Sequence, residues 1–163
     1  MSKYLQTMTS PQGKLAITAS DKGITSIAFI HQEDASFETA PANKPNALTQ
    51  SACEQLTAYF SKQLTQFSLP LDAKGTHFQQ AVWTALMSIA YGATKSYQDI
   101  ANAIGNPKAV RAVGLANGKN PIAIVVPCHR VIGKNNRLIG YAGGVDKKQY
   151  LLKLEGAQGV LWD

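Results

Sequence analysis

The period of the apolar positions changes along the chain. Up to Ile30, short runs from Leu5 to Met8, Leu15 to Ala19 and Ile24 to Ile30 read as strands, and Ser20-Asp21-Lys22-Gly23 has the composition of a hairpin turn. A polar, proline-containing loop follows from His31 to Asn46. From about Ala47 to Lys62 the apolar residues Leu48, Ala52, Leu56, Tyr59 and Phe60 recur near helical spacing. They predict a helix laid on the strands, with Cys53 packed beside its face.

Beyond residue 72 the pattern turns helical and richer in glycine. Thr76 is placed to cap a helix carrying Phe78, Val82, Leu86 and Ile89 on one side, and Trp83 reads as packing. Ser96 and Asp99 have the form of a capping box, with Tyr97, Ile100, Ala101 and Ile104 at helical spacing before a stop at Gly105. Asn106 then caps a second helix, with Pro107 at its first position and an end near Asn117-Gly118. Two short helices joined by a glycine-containing turn have the plan of a helix-turn-helix. The second is dominated by Ala, Val and Gly, and Arg111 is its only arginine. Such a surface reads base pairs weakly, but its small residues allow close approach to a narrow groove while one long cation enters the base stack. Tight helix packing is the competing explanation for those small residues.

Ile122 to Val126 has the composition of a buried strand, blocked by Pro127, so Cys128-His129-Arg130 follows at its end. A thiol beside an imidazole can be converted to the nucleophilic thiolate, although a cysteine ending an apolar run is also an ordinary small core residue. Neighbouring side chains on a strand point to opposite faces, so Cys128 and His129 cooperate directly only if the chain turns sharply, or else through a water. His129 needs an orienting acid. Asp146 should begin the final helix and Asp163 is terminal. Glu155, which ends the segment Tyr150 to Leu154 just before Gly156, is the best candidate, with a surface carboxylate as the alternative.

Length and charge narrow the setting. The 163 residues, 45% of them hydrophobic, suffice for one good-sized core or two small ones. No apolar run approaches the ~20 residues that span a bilayer, and Met1 to Gln6 lacks the apolar stretch of a signal peptide, so a cytoplasmic location with no membrane partner is expected. Cys53 and Cys128 are the only cysteines, and the three histidines are scattered, which suggests neither a disulfide framework nor a metal site. Residues 1–72 carry five lysines against six acids, a net −1, whereas the remainder carries eleven basic residues against four acids, a net +7, and every arginine. That asymmetry points to a polyanion such as nucleic acid, with a merely solvated basic face as the alternative. Gly140 to Gly144, with Tyr141 inside it, supplies a loop able to close over a planar ring but lacks dinucleotide or phosphate-loop spacing.

Taken together, Ser96-Tyr97, Gly105 to Gly114, Asn120-Pro121, Ile124 to Val131 and Tyr141 to Gly144 resemble, in consistent order over about residues 76–157, the O6-alkylguanine-DNA alkyltransferases. The resemblance implies an α+β fold. A small N-terminal ribonuclease-H-like α/β domain (1–72) precedes a C-terminal helical domain (73–163) with a winged-helix-like helix-turn-helix. It implies a monomer that binds duplex DNA containing O6-alkylguanine, with O4-alkylthymine as a second candidate, through the helix bearing Arg111, Ala109, Ala112 and Gly114. Arg111 would intercalate as the damaged base is flipped out. Cys128 would accept the alkyl group, activated by His129 through a water and oriented by Glu155. Tyr97 would donate a proton at guanine N3, and Asn120 would hold the turn around the cysteine. Tyr97, Val131, Tyr141 and Ala142 would line the base pocket. A thioether is not readily hydrolysed, so the protein would act once and need no cofactor. Some relatives have serine in place of Ala142, and some bind zinc through two cysteines and two histidines, a set that Cys53, His31 and His77 cannot supply; no metal is expected.

Two other classes compete. A non-catalytic lesion-binding protein would keep the helix and its arginine but lose the cysteine, and Cys128 argues against it. A cysteine hydrolase would draw its histidine from elsewhere and need an oxyanion hole that the sequence does not identify.

Overall fold

The computed structural model describes residues 3–30, 43–138, 141 and 144–160. Ala142, Gly140, Gly143, His31, Asp163 and most of the polar loop after Ile30 lie outside these residues. The chain divides into two compact units, Met1–Ala73 and Lys74–Asp163.

In the first unit β1 (Tyr4–Ser10), β2 (Gly13–Ala19) and β3 (Ile24–Phe29) form an antiparallel sheet in that order, with Tyr4 opposite Ala19 and Leu15 opposite Phe29. Strand alternation sends Leu15, Ile17 and Ala19 of β2 inward, where Ile24, Ile27 and Phe29 join them. Helix α1 (Ala47–Phe60) covers these residues with Ala52, Leu56 and Tyr59, and Cys53 packs at its margin. The helix opens on a reciprocal cap between Asn46 and Thr49, which satisfies amides left free at a helix start.

Gly23 ends the β2–β3 turn where the segment Pro70–Asp72 runs alongside, with the Ile24 amide donating to the Pro70 carbonyl at 2.8 Å and the Asp72 amide to the Ile24 carbonyl at 2.7 Å. A Cβ at Gly23 would lie 2.8 Å from the Pro70 carbonyl oxygen, closer than packed atoms allow. Gly23→Ala should therefore lower stability by about 1–3 kcal/mol in a denaturant titration.

In the second unit α2 (His77–Leu86) starts on the Thr76–Gln79 capping box and buries Val82, Trp83 and Leu86. The Trp83 indole donates to the Ala116 carbonyl at 2.9 Å. Strand β4 (Lys95–Ser96) leads straight into α3 (Tyr97–Ala103), capped by Ser96 and Asp99. Gly105 takes the left-handed conformation that ends α3. Helix α4 (Val110–Gly118) follows, and α3 with α4 makes the helix-turn-helix pair. The α4 start differs from expectation: Asn106 does not cap it, because the Asn106 carbonyl accepts the Ala109 amide at 3.0 Å and closes a turn over Pro107-Lys108.

The expected strand over Ile122–Val126 is absent. All but the half-buried Ala123 are buried, but they form consecutive turns in which the Val126 amide donates to the Ile122 carbonyl at 3.0 Å and Ile124 has φ 72°. Asn120 supports that path: its Nδ2 donates to the Val126 carbonyl at 2.8 Å and its Oδ1 accepts the Ile122 amide at 3.0 Å. Side-chain bonds thus take the place of a ladder, and they hold a left-handed β-branched residue that is otherwise disfavoured.

A 3-10 turn (Cys128–Arg130) then runs into β5 (Val131–Ile132), which pairs in parallel with β4, placing Lys95 opposite Val131 and Ser96 opposite Ile132. Last comes α5 (Val145–Leu154), with Asp146 in its first turn. Ile132, Leu152, Ala157 and Val160 form a small apolar core there. No helix among the described residues is long and apolar enough to cross a membrane.

Candidate active site

Three local decisions of the chain bring the reactive groups together. Turning at Cys128–Arg130 replaces strand alternation with a tight 3-10 arc, the sharp turn that direct cooperation between Cys128 and His129 requires. The parallel pairing of β4 with β5 sets Tyr97, at the start of α3, next to the strand that follows the cysteine. Ending α5 on Gly156, whose φ is 70°, closes the helix with the Ala157 amide on the Leu152 carbonyl and holds Glu155 at the terminus, its side chain fully buried.

Glu155 is the hub. Its Oε2 lies 2.7 Å from His129 Nε2 and accepts Arg130 Nη2 at 3.1 Å, while its Oε1 accepts Arg130 Nε at 2.8 Å and the Gly92 amide at 3.4 Å. Burial alone would raise this carboxyl, but the hydrogen bonds and charges of His129 and Arg130 outweigh it and hold it at about 2. An ionised carboxylate can only accept, so His129 Nε2 carries the proton and Nδ1 bears the lone pair. His129 is fully buried, and Nδ1 has no hydrogen-bond partner among the described residues. Burial lowers the imidazole below its ordinary range, with Arg130 and Lys148 adding to the effect against the opposing pull of Glu155. The ring is therefore a neutral base at physiological pH.

Cys128 is 7% exposed, and burial raises its thiol above the ordinary value. A hydrogen bond from the Asn120 side chain and the charge of Lys148 pull the other way without cancelling that rise. At rest the sulfur is a protonated thiol, so a base is needed to form the thiolate. Lys148, fully buried on α5, donates to the Val131 carbonyl at 2.6 Å. Burial depresses its ammonium to about 8, while the charge of Cys128 acts to raise it. Tyr97 and Tyr141 are both held protonated, first by burial and then by the charge of Cys128. The Tyr141 hydroxyl is buried without a partner among the described residues.

The remaining expected site residues are spread more widely. Arg111 and Ala112 lie on the exposed face of α4, and Ala109 is half-buried at its start. Gly114 turns inward, since a Cβ there would meet the Tyr97 ring at 3.9 Å. Val131 is fully buried, and Ala142 lies outside the described residues. Arg130 is buried against Glu155. Lys148 is the residue that sequence reasoning overlooks. It shares a helical stripe with Leu151, Leu152 and Glu155, at i, i+3, i+4 and i+7, and that spacing marks a lysine facing inward.

Comparison with known proteins covers both units. Residues 3–73 match the model for the ribonuclease-like domain of 6-O-methylguanine DNA methyltransferase, and residues 77–157 match the model for its DNA-binding domain. A methylated-DNA--protein-cysteine methyltransferase of Mycolicibacterium paratuberculosis is 51% identical over 150 residues, which is 92% of this chain and 90% of that protein. One from Methanosarcina acetivorans is 46% identical over 154 residues, covering 94% and 99%. Among solved structures, the Mycobacterium tuberculosis O6-methylguanine methyltransferase superposes with a TM-score of 0.85 at 44% identity, covering 100% of this chain and 97% of that one. The M. tuberculosis OGT in complex with DNA gives 0.84 at 46% identity, covering 94% and 93%.

Proposed function

The chain belongs to the 6-O-methylguanine DNA methyltransferase family, and from that premise we propose how its own residues carry out the reaction. It repairs DNA by direct reversal, taking the alkyl group from O6 of guanine in duplex DNA onto a cysteine of its own, one group per chain. The acceptor is Cys128. The observation that carries this assignment is the buried His129–Glu155 contact at 2.7 Å, which leaves Nδ1 as the acceptor atom on the residue adjoining the thiol.

The thiol proton passes through one water to His129 Nδ1, and the sulfur attacks the alkyl carbon. As the S–C bond forms, the C–O6 bond breaks and its electron pair stays on the guanine. Tyr97, protonated at rest, supplies a proton at N3 and recovers one from the imidazolium through solvent, so the proton lost by the thiol ends on the base. Asn120 holds the turn behind the sulfur, and Lys148 offsets the thiolate charge. The product is a thioether, which water does not readily cleave, and the protein is spent. We assign Tyr97, Val131 and Tyr141 to the base pocket. We place the reaction in the cytoplasm on the composition of the chain and its two free thiols.

Titrating the protein with duplex DNA carrying one O6-methylguanine should stop at one repaired base per chain; continued turnover would overturn the reading. The exposed face of α4, with Arg111 and Ala112, is the surface we assign to DNA, and Arg111 fills the space of the extruded nucleotide. Extrusion costs a few kcal/mol, so Arg111→Ala should slow duplex repair roughly 10- to 100-fold. Transfer from free O6-benzylguanine, which needs no extrusion, should fall less. Equal losses on both substrates would count against the role.

A further inference from the structure

We propose that Arg130 is a positioning residue of the transfer reaction, acting through Glu155 to keep His129 neutral and its Nδ1 free to accept the thiol proton. The inference rests on the transfer reaction proposed above and extends it by one residue. Arg130 spans the carboxylate with two nitrogens, Nε to Oε1 at 2.8 Å and Nη2 to Oε2 at 3.1 Å, and its third nitrogen donates to the Ile89 carbonyl at 2.7 Å. The Tyr91 ring lies beneath the guanidinium, 5.8 Å from Cζ. A bidentate fork fixes the plane of a carboxylate, which a point charge cannot do, and the Ile89 carbonyl fixes the fork. The Oε2 atom is thereby aimed at His129 Nε2.

The arrangement has a second effect. A bare carboxylate 2.7 Å from an imidazole stabilises the imidazolium, which has no lone pair to receive a proton. Arg130 balances that carboxylate with the charge of its guanidinium, held against both oxygens. Around this pair the charged and titratable groups are Cys128 on the same turn, Lys148 from α5, Tyr91 from the loop after α2, and Tyr141. Lys148 adds to the positive side, and the two tyrosines are held in their neutral forms. Only Glu155 favours a charged His129, and Arg130 is its direct counterweight.

The test is an NMR titration of the histidine rings in the full chain, with His129 assigned by comparison with His129→Gln. In Arg130→Gln the His129 midpoint should rise by about 1 pH unit or more. Benzyl transfer from O6-benzylguanine should fall about 10-fold at neutral pH, with the acid limb of its rate profile moved to higher pH by the same amount. Arg130→Lys restores the charge without the fork, so the limb should return towards its original position while the rate recovers only in part. Should Arg130→Gln fail to fold, the double variant Arg130→Gln/Glu155→Gln leaves neither partner of the pair charged. It should transfer no more slowly than Glu155→Gln alone, because without the carboxylate Arg130 has nothing to position. An unmoved His129 midpoint and rate profile, or losses that multiply in the double variant, would overturn the proposal. An unaltered chain that accepts no benzyl group would instead refute the functional reading, and the ring titration, which needs no substrate, would still decide the role of Arg130.

Discussion

Mixed with duplex DNA carrying a single O6-methylguanine, the protein should gain one methyl group in place of a hydrogen, located on Cys128 by intact-mass and peptide analysis. Cys128→Ala should abolish the gain entirely. The loss is complete because neither Asn120 nor Lys148 can substitute as acceptor, and the other cysteine, Cys53, packs at the margin of α1 with its thiol also raised by burial. The variant should fold, since shortening a buried thiol to a methyl group removes one atom and no charge. Methylation found on Cys53, or on Cys128→Ala, would refute the assignment. Binding to lesion-containing DNA should survive the substitution, because the residues assigned to DNA contact lie on α4.

Glu155→Gln should have the next largest effect, on both rate and stability. An amide in place of the carboxylate offers His129 either a donor or a weaker acceptor, so the tautomer is no longer fixed and proton transfer from Cys128 loses its direction. The expected fall in transfer is about 100- to 10,000-fold, the range of general acid–base contributions. The same change leaves the Arg130 guanidinium buried without its counter-charge, at a cost of about 3–5 kcal/mol in unfolding free energy. Acid should act in the same direction on the unaltered protein. The Glu155 carboxyl sits near 2 when folded against an ordinary 4.5, so its contribution of roughly 3 kcal/mol is complete above about pH 4.5. It is lost as the pH falls from there towards 2. His129, lowered by burial, adds a loss that starts below its ordinary 6.5, because only the unfolded chain then takes up the proton. Thermal melts against pH should therefore fall steadily on acidification, and Glu155→Gln should flatten the lower part of that curve.

Much of this arrangement is legible in the sequence where the interactions are local. Ser96 with Asp99 announces a helix start because a capping box closes within four residues, and Thr76 marks another by its cap alone. The β1–β2–β3 sheet follows from alternation and a turn. Where a local signal has two physical readings, the sequence misleads. The run Ile122–Val126 records burial, not strand geometry, and Asn120 supplies the bonds that a ladder would have supplied. Asn106-Pro107 has the composition of a helix start, but the Asn106 carbonyl closes a turn first. Arg130 and Lys148 are harder still. The first is defined by Ile89 and Glu155, the second by Val131, and those pairings exist only once distant segments have packed. Adjacency in Cys128-His129-Arg130 gives the arginine no catalytic role by itself; the carboxylate from α5 shows how it takes part.

The bond from the Trp83 indole to the Ala116 carbonyl gives the protein an internal optical gauge. Indole emission shifts with the polarity and hydrogen bonding of its surroundings, and this indole is tied to the last turns of the helix that bears Arg111. The only other tryptophan is Trp162, so Trp162→Phe would leave a single emitter. Its colour and lifetime would then follow α4 as DNA arrives and leaves, with no dye attached to either molecule.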